Sequence, residues 1–228
     1  MSLLKSLNQN VATLKVVVFS ASLYPALRLL YQYHNDQLGI NGLETLLHTT
    51  GFTALILYTL TLAITPARRV FSYSMILLHH GYGKRLGDWN WMVRLRRMLG
   101  VFSFLYALLH FILFFYFELD FEISELWLEV EERPFILAGM LALALLLPLF
   151  LTSTDYAMRL LRKGWRKLHR LMYPIGILIA AHYLWLTKPG VYEAYPYAAI
   201  ILLLLCFRLL AYMRLIFDRE DDGMIAKR

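Results

Sequence analysis

One cysteine, Cys206, stands among 228 residues, which excludes an internal disulfide and any thiolate cluster for iron–sulfur or zinc. Charge is sparse as well: 17% of the residues are Asp, Glu, Lys or Arg, against roughly 25% in an ordinary soluble domain. No carboxylate lies in the interior of the long apolar runs, which removes the acidic relay expected of many proton-coupled transporters. A dinucleotide-type phosphate loop is missing, since no GxGxxG follows a strand-like segment. No basic patch interleaved with aromatics is present, so nucleic acid is not an expected partner.

What is abundant is apolar. Hydrophobic residues make up 59% of the chain and the mean hydropathy is +0.53, so the expected fold is all-α, a polytopic membrane helix bundle. Six transmembrane helices are expected, near 11–33, 43–65, 97–117, 134–152, 167–187 and 194–216. The first is read as a span and not as a cleaved signal, because its apolar stretch is long and no convincing small-residue site follows Ala21–Ser22.

Connecting charges give the orientation. The stretch from Pro66 to Arg97 carries Arg68, Arg69, Lys84, Arg85, Arg94, Arg96 and Arg97 against Asp88 alone. The stretch from Ser153 to Arg170 holds Arg159, Arg162, Lys163, Arg166, Lys167 and Arg170 against Asp155. Between them, Glu118, Asp120, Glu122, Glu125, Glu129, Glu131 and Glu132 face only Arg133. Lysine and arginine mark the cytoplasmic side, so both termini are expected inside and the acidic loop outside, as a solvated loop or a docking point. The net charge of +7 is thus topogenic. Within the first basic loop, about 71–93 reads as a segment in the headgroup region, with Trp89 and Trp91 beside basic residues. His79 and His80 belong to it as exposed interfacial residues, and His34 is a boundary residue after the first span.

The histidines inside the spans carry the chemistry. His169 and His182 are thirteen residues apart in one apolar run, about 20 Å on a helix, which sets one imidazole near each face of the membrane. His110 lies seven residues before Phe117, and His182 five before Thr187. The third and fifth spans both run outward, so these two imidazoles should share a depth in the outer half. That is the arrangement for two axial ligands of one haem, although hydrogen bonds between helices are the plainer use of the same residues. At the inner level His169 faces no second histidine on the third span; Arg96 and Arg97 stand there, suited to a haem propionate or a flavin phosphate. His169 is then a haem ligand with another partner, or part of a flavin or quinone site. His48, at the outer end of the second span beside Thr49, Thr50 and Gly51, is a candidate for a propionate, a quinone or an alternative ligand.

HTTG at 48–51, ITPARR at 64–69, RRMLG at 96–100, LLH at 108–110, RP at 133–134, TST at 152–154, WRKLHRLMY at 165–173 and HYLW at 182–185 together resemble the MsrQ family. These are the haem-binding membrane subunits of periplasmic methionine-sulfoxide reductase systems, within the ferric-reductase-like transmembrane group. The resemblance runs from about residue 41 to 216. It implies a b-type cytochrome of the bacterial inner membrane with one or two haems b and associated FMN. Electrons would come from a quinol or a cytoplasmic flavin reductase. They would leave to a periplasmic molybdopterin-containing subunit, which performs the catalysis. Carried over, the family's histidines fall on His110, His169, His182 and His48. Where the wider group has two histidines on the third span this chain has one, and its 71–93 insert is longer than usual. One domain is expected over 1–217, with a cytoplasmic loop at 66–96, and a short polar cytoplasmic tail at 218–228; no nicotinamide-and-flavin domain is expected. A ferric or cupric reductase and a non-redox transporter or assembly factor are the alternatives.

Overall fold

A computed structural model describes residues 6, 8–79, 82–187 and 190–225, with side chains as far as residue 211. Among the described residues all regular structure is helical. The main elements are α1 (Val11–His34), α2 (Gly42–Leu77), α3 (Asn90–Phe117), α4 (Ile123–Glu132) and α5 (Pro134–Leu151). They are followed by α6 (Asp155–Leu161), α7 (Lys163–Leu168), α8 (Met172–Leu186) and α9 (Ala194–Ile225). Short 3₁₀ turns at Leu86–Trp89 and His169–Leu171 lead into α3 and α8.

Among the described residues, five segments are long and apolar enough to cross a membrane: α1, α2, Leu86–Phe117, α5 and Ala194–Ala211. Their outward surfaces are hydrocarbon, with Val16, Leu30, Leu60, Leu105, Leu141 and Leu203 all exposed, as a lipid-facing bundle requires. The region expected as a fifth span, 167–187, folds instead as the end of α7, a 3₁₀ turn and α8, and α8 with its 15 residues is not one of the five.

Helix ends follow local chemistry. Asn41 caps α2, its Oδ1 accepting from the Glu44 amide at 3.3 Å while its Nδ2 donates to Glu44 Oε2 at 2.7 Å. Pro134 opens α5, where a missing N–H costs nothing. Thr154 caps α6 by accepting from the Ala157 amide.

Three further stretches differ from the sequence reading. α2 has 36 residues, about 54 Å of rise against a ~30 Å hydrocarbon layer, so it passes residue 65 and absorbs the first part of the predicted headgroup segment. The return is tied down: Arg68 donates to Leu86 O, Ser72 to Lys84 O, and Trp89 is buried against Phe71 with Nε1 donating to Gly83 O at 2.9 Å. His79 is exposed in that return, and His80 lies outside the described residues. The acidic loop contains α4, an amphipathic helix of ten residues whose Ile123, Trp127 and Leu128 are exposed. The last helix continues past 217 to Ile225.

The core lies between α2, α3, α5, α8 and α9. Leu62, Ile175 and Ile201 are fully buried there, and Phe104 stacks on Phe150 with ring centres 4.4 Å apart. α1 is peripheral; Phe19 packs edge-on against Phe102 with ring centres 5.2 Å apart, and Tyr106 ties the helix by hydrogen bonds. The Tyr106 hydroxyl donates to Ser22 O at 2.7 Å and accepts from Ala26 N at 3.0 Å. It enters the α1 ladder beside Pro25, where the ring already opens the helix.

Candidate functional site

His110 on α3 and His182 on α8 face each other across the bundle, with ring centres 6.4 Å apart and planes at 84°. Each ring is fixed by its Nδ1. His110 Nδ1 is 3.0 Å from Leu47 O and His182 Nδ1 is 2.6 Å from Phe135 O. A carbonyl only accepts, so in the neutral rings the proton sits on Nδ1 and the Nε2 lone pair is left for another partner. Backbone carbonyls in this role orient ligand imidazoles and raise their basicity.

Glycines make the space for both rings. A Cβ at Gly139 on α5 would stand 2.7 Å from His182 Nδ1 and 2.9 Å from its Cε1. A Cβ at Gly51 on α2 would come 3.1 Å from His110 Nδ1 and Cε1. So α2 and α5 press their bare backbones against the imidazoles, and Thr50, itself donating to Leu46 O, lies 3.4 Å from His110 Nδ1.

The other expected residues are placed elsewhere. His48 is exposed, stacks on Phe52 with centres 5.7 Å apart, and lines a cleft of about 320 Å³ with Asn41, Glu44, Thr45 and Thr49. It sits one position off the Leu47–Thr50–Gly51 face that meets His110. His169 is half-buried in the 3₁₀ turn. Its ring stacks on Trp165 at 3.9 Å and its Nδ1 is 3.2 Å from Trp165 O.

Arg96 and Arg97, adjacent in sequence, point apart by the ~100° of one helical step. Arg96 faces inward and donates to Thr65 Oγ1 at 2.6 Å. Arg97 is exposed and pairs with Asp155 at the start of α6, where the guanidinium holds the carboxyl below the usual carboxylate range. Arg97 also lines a cleft of about 340 Å³ with Lys15, Arg94, Phe19 and Met98.

Two residues of this region escaped sequence reasoning. Gly139 had no flag beyond being a lone glycine in an apolar helix. Arg208 did have one, as a single cation in ILLLLCFRLLAYM. It is buried on α9, where its Nη2 donates to Leu62 O at 2.8 Å. That carbonyl belongs to the residue four before Pro66, whose missing N–H leaves it unpaired.

The fold and the facing imidazoles define a helical membrane protein of the ferric-reductase-like class, and the family described as ferric reductase like transmembrane component matches residues 50–180. Curated relatives narrow that class. The protein-methionine-sulfoxide reductase heme-binding subunit MsrQ of Herminiimonas arsenicoxydans is 42% identical over 181 residues, covering 79% of this chain and 75% of the relative. Subunits of the same description from Azospira oryzae and Xanthomonas campestris pv. campestris are 34% identical over 209 residues and 35% identical over 205. They cover 91% and 87% of this chain, and 83% and 87% of their own lengths. The chain belongs to the MsrQ family. No solved structure matches it.

The residues present fit the group that this family implies. Among the described residues no cluster of three or more His, Cys, Asp or Glu could hold a bare metal ion, but iron in a porphyrin needs only two axial ligands. Two nitrogens bound to one metal at about 2 Å each, with each ring centre about 1 Å further back, give centres about 6 Å apart. The 6.4 Å between His110 and His182 matches this.

Proposed function

We propose that this chain is the electron-carrying membrane subunit of a protein-methionine-sulfoxide reductase system, with a haem b held between His110 and His182. The observation that carries this reading is the 6.4 Å imidazole pair whose Nδ1 atoms are both committed to backbone carbonyls. Haem iron supplies one-electron transfer when bound; the chain fixes its depth, its axial ligands and its apolar surroundings. Gly51 and Gly139 leave room for the imidazoles, and the Leu47 and Phe135 carbonyls keep each Nε2 available.

In this reading the chain forms one domain over 1–217 and crosses the bacterial inner membrane six times, α8 with its 3₁₀ turn being the short fifth crossing. Both termini and the two arginine-rich connections lie in the cytoplasm, and the acidic connection with α4 lies outside. His169 serves the inner level, as ligand of a second haem or in a site for FMN, and His48 serves the outer one. Electrons enter from a membrane quinol or a cytoplasmic flavin reductase. They leave to a periplasmic molybdopterin-containing subunit that reduces methionine sulfoxide.

The description of the matched family as ferric reductase like favours a second reading, direct reduction of ferric or cupric chelates. Proteoliposomes loaded with the soluble reductase subunit and oxidised protein separate the two. We expect quinol or reduced flavin added outside to drive methionine-sulfoxide reduction inside only when this chain is present. Chelate reduction at equal rate with no soluble subunit would favour the second reading instead.

A further inference from the structure

The inner level holds cations with no matching anion. Arg208 is buried, and Arg96 is half-buried beside it; both donate to the same Thr65 Oγ1, at 3.4 Å and 2.6 Å. Tyr173 lies beside both. Among the residues whose side chains are described, no carboxylate pairs with either arginine. The Nε of each, and that of neighbouring Arg68, is buried without a hydrogen-bond partner. Sealing the Pro66 gap in α2 needs one donor, which Arg208 Nη2 provides at Leu62 O. It needs neither a second arginine nor a net charge. Buried cations of this kind are strongly unfavourable unless an anion joins them.

Depth narrows the occupant. Arg96 precedes His110 by fourteen residues on α3, about 21 Å. Arg208 Nη1 meets Met172 Sδ at 3.2 Å, ten residues before His182 on α8 and about 15 Å away. A porphyrin centred between His110 and His182 cannot reach that far with its propionates. Met172 is three residues after His169, so the arginines share the level of that histidine.

We propose that Arg96 and Arg208, with Thr65, form a buried oxyanion site for the carboxylate or phosphate of a second prosthetic group at the His169 level. Guanidinium forks suit both anions. A haem propionate and a flavin phosphate are the two sources of that chemistry. The assignment of a redox group here rests on the electron-transfer reading above, whereas the need for an anion does not.

The test is the cofactor content of detergent-purified full-length protein. Haem is measured by pyridine haemochrome, FMN by fluorescence after release, and phospholipid by native mass spectrometry. Arg208→Gln keeps an amide donor for Leu62 O and removes the charge; Arg96→Gln does the same beside Thr65. We expect each to lower retention of either FMN or one haem by about tenfold or more, with the His110–His182 low-spin spectrum unchanged. Whichever group is lost identifies the source, and Arg208→Lys should restore part of it.

Unchanged haem and flavin in both Gln variants, or loss of phospholipid alone, would overturn the proposal. Should the Gln variants fail to fold, Arg208→Lys and Arg96→Lys decide the matter, because loss of the forked geometry should still lower retention selectively. The wild-type spectrum tests the electron-transfer reading separately, through histidines remote from the arginines.

Discussion

At the scale of single residues, the centre depends on atoms that are absent as much as on ligands. Gly139→Ala would place a methyl 2.7 Å from His182 Nδ1, costing about 1–3 kcal/mol in overpacking. It should tilt the ring, so we expect a weakened low-spin haem spectrum and reduced haem retention. Gly51→Ala, at 3.1 Å from the His110 ring, should do the same more mildly; a wild-type spectrum in Gly139→Ala would show that the His182 ring is held differently. His169→Ala should leave the outer haem spectrum in place and slow its reduction from the cytoplasmic side, and stopped-flow reduction checks this.

The imidazole pair was legible in sequence because helical rise converts residue counts into depth, and two polar residues at one depth in apolar spans are unusual. Gly139 was not legible, since its role comes from α5 crossing the α8 histidine, a contact between residues 43 positions apart in sequence. Arg208 was visible as an intramembrane cation, but its tie to the carbonyl freed by Pro66 joins residues on separate helices. The opposed directions of Arg96 and Arg97 followed from the helical step alone and could have been read.

At the scale of elements, the bundle is joined by a few polar latches on an apolar frame. Tyr106→Phe removes the hydroxyl that bridges Ser22 O and Ala26 N. It should cost about 1 kcal/mol and loosen α1 while leaving the haem spectrum intact, which thermal melts and hydrogen exchange in α1 would show. Asp155→Asn breaks the exposed Arg97 pair and should barely change the melting temperature. The sign of its pH dependence is nonetheless fixed. The carboxyl is held low in the folded state, so the pair contributes at neutral pH and is lost as acid protonates Asp155 below its unfolded range. A melt of the variant at neutral and acid pH checks this.

Element boundaries were less legible than element existence. Hydropathy located the apolar part of α2 but not its extension, because Arg68, Arg69 and Ser72 are compatible with helix or loop, and the decision came from contacts with the 84–89 return. α4 was read as a loop because its glutamates dominate a ten-residue segment in which Ile123, Trp127 and Leu128 recur at helical spacing.

At the scale of the whole molecule, charge and depth define a direction. Basic connections collect at the end where Arg96, Arg208 and His169 lie, and the acidic α4 segment at the end of His110 and His182. If the orientation is as proposed, a reporter fused after the last helix should be active only in the cytoplasm, and one inserted at 120–121 only in the periplasm. The reverse pattern would turn the electron path around.

In the proposed function one iron sits between His110 and His182. Oxidised and dithionite-reduced visible spectra of purified wild-type, His110→Ala and His182→Ala protein test it directly. We expect a sharp low-spin b-type spectrum in the wild type and its loss in each variant. A colourless wild type in folded protein, or a wild-type spectrum in either alanine variant, would contradict it.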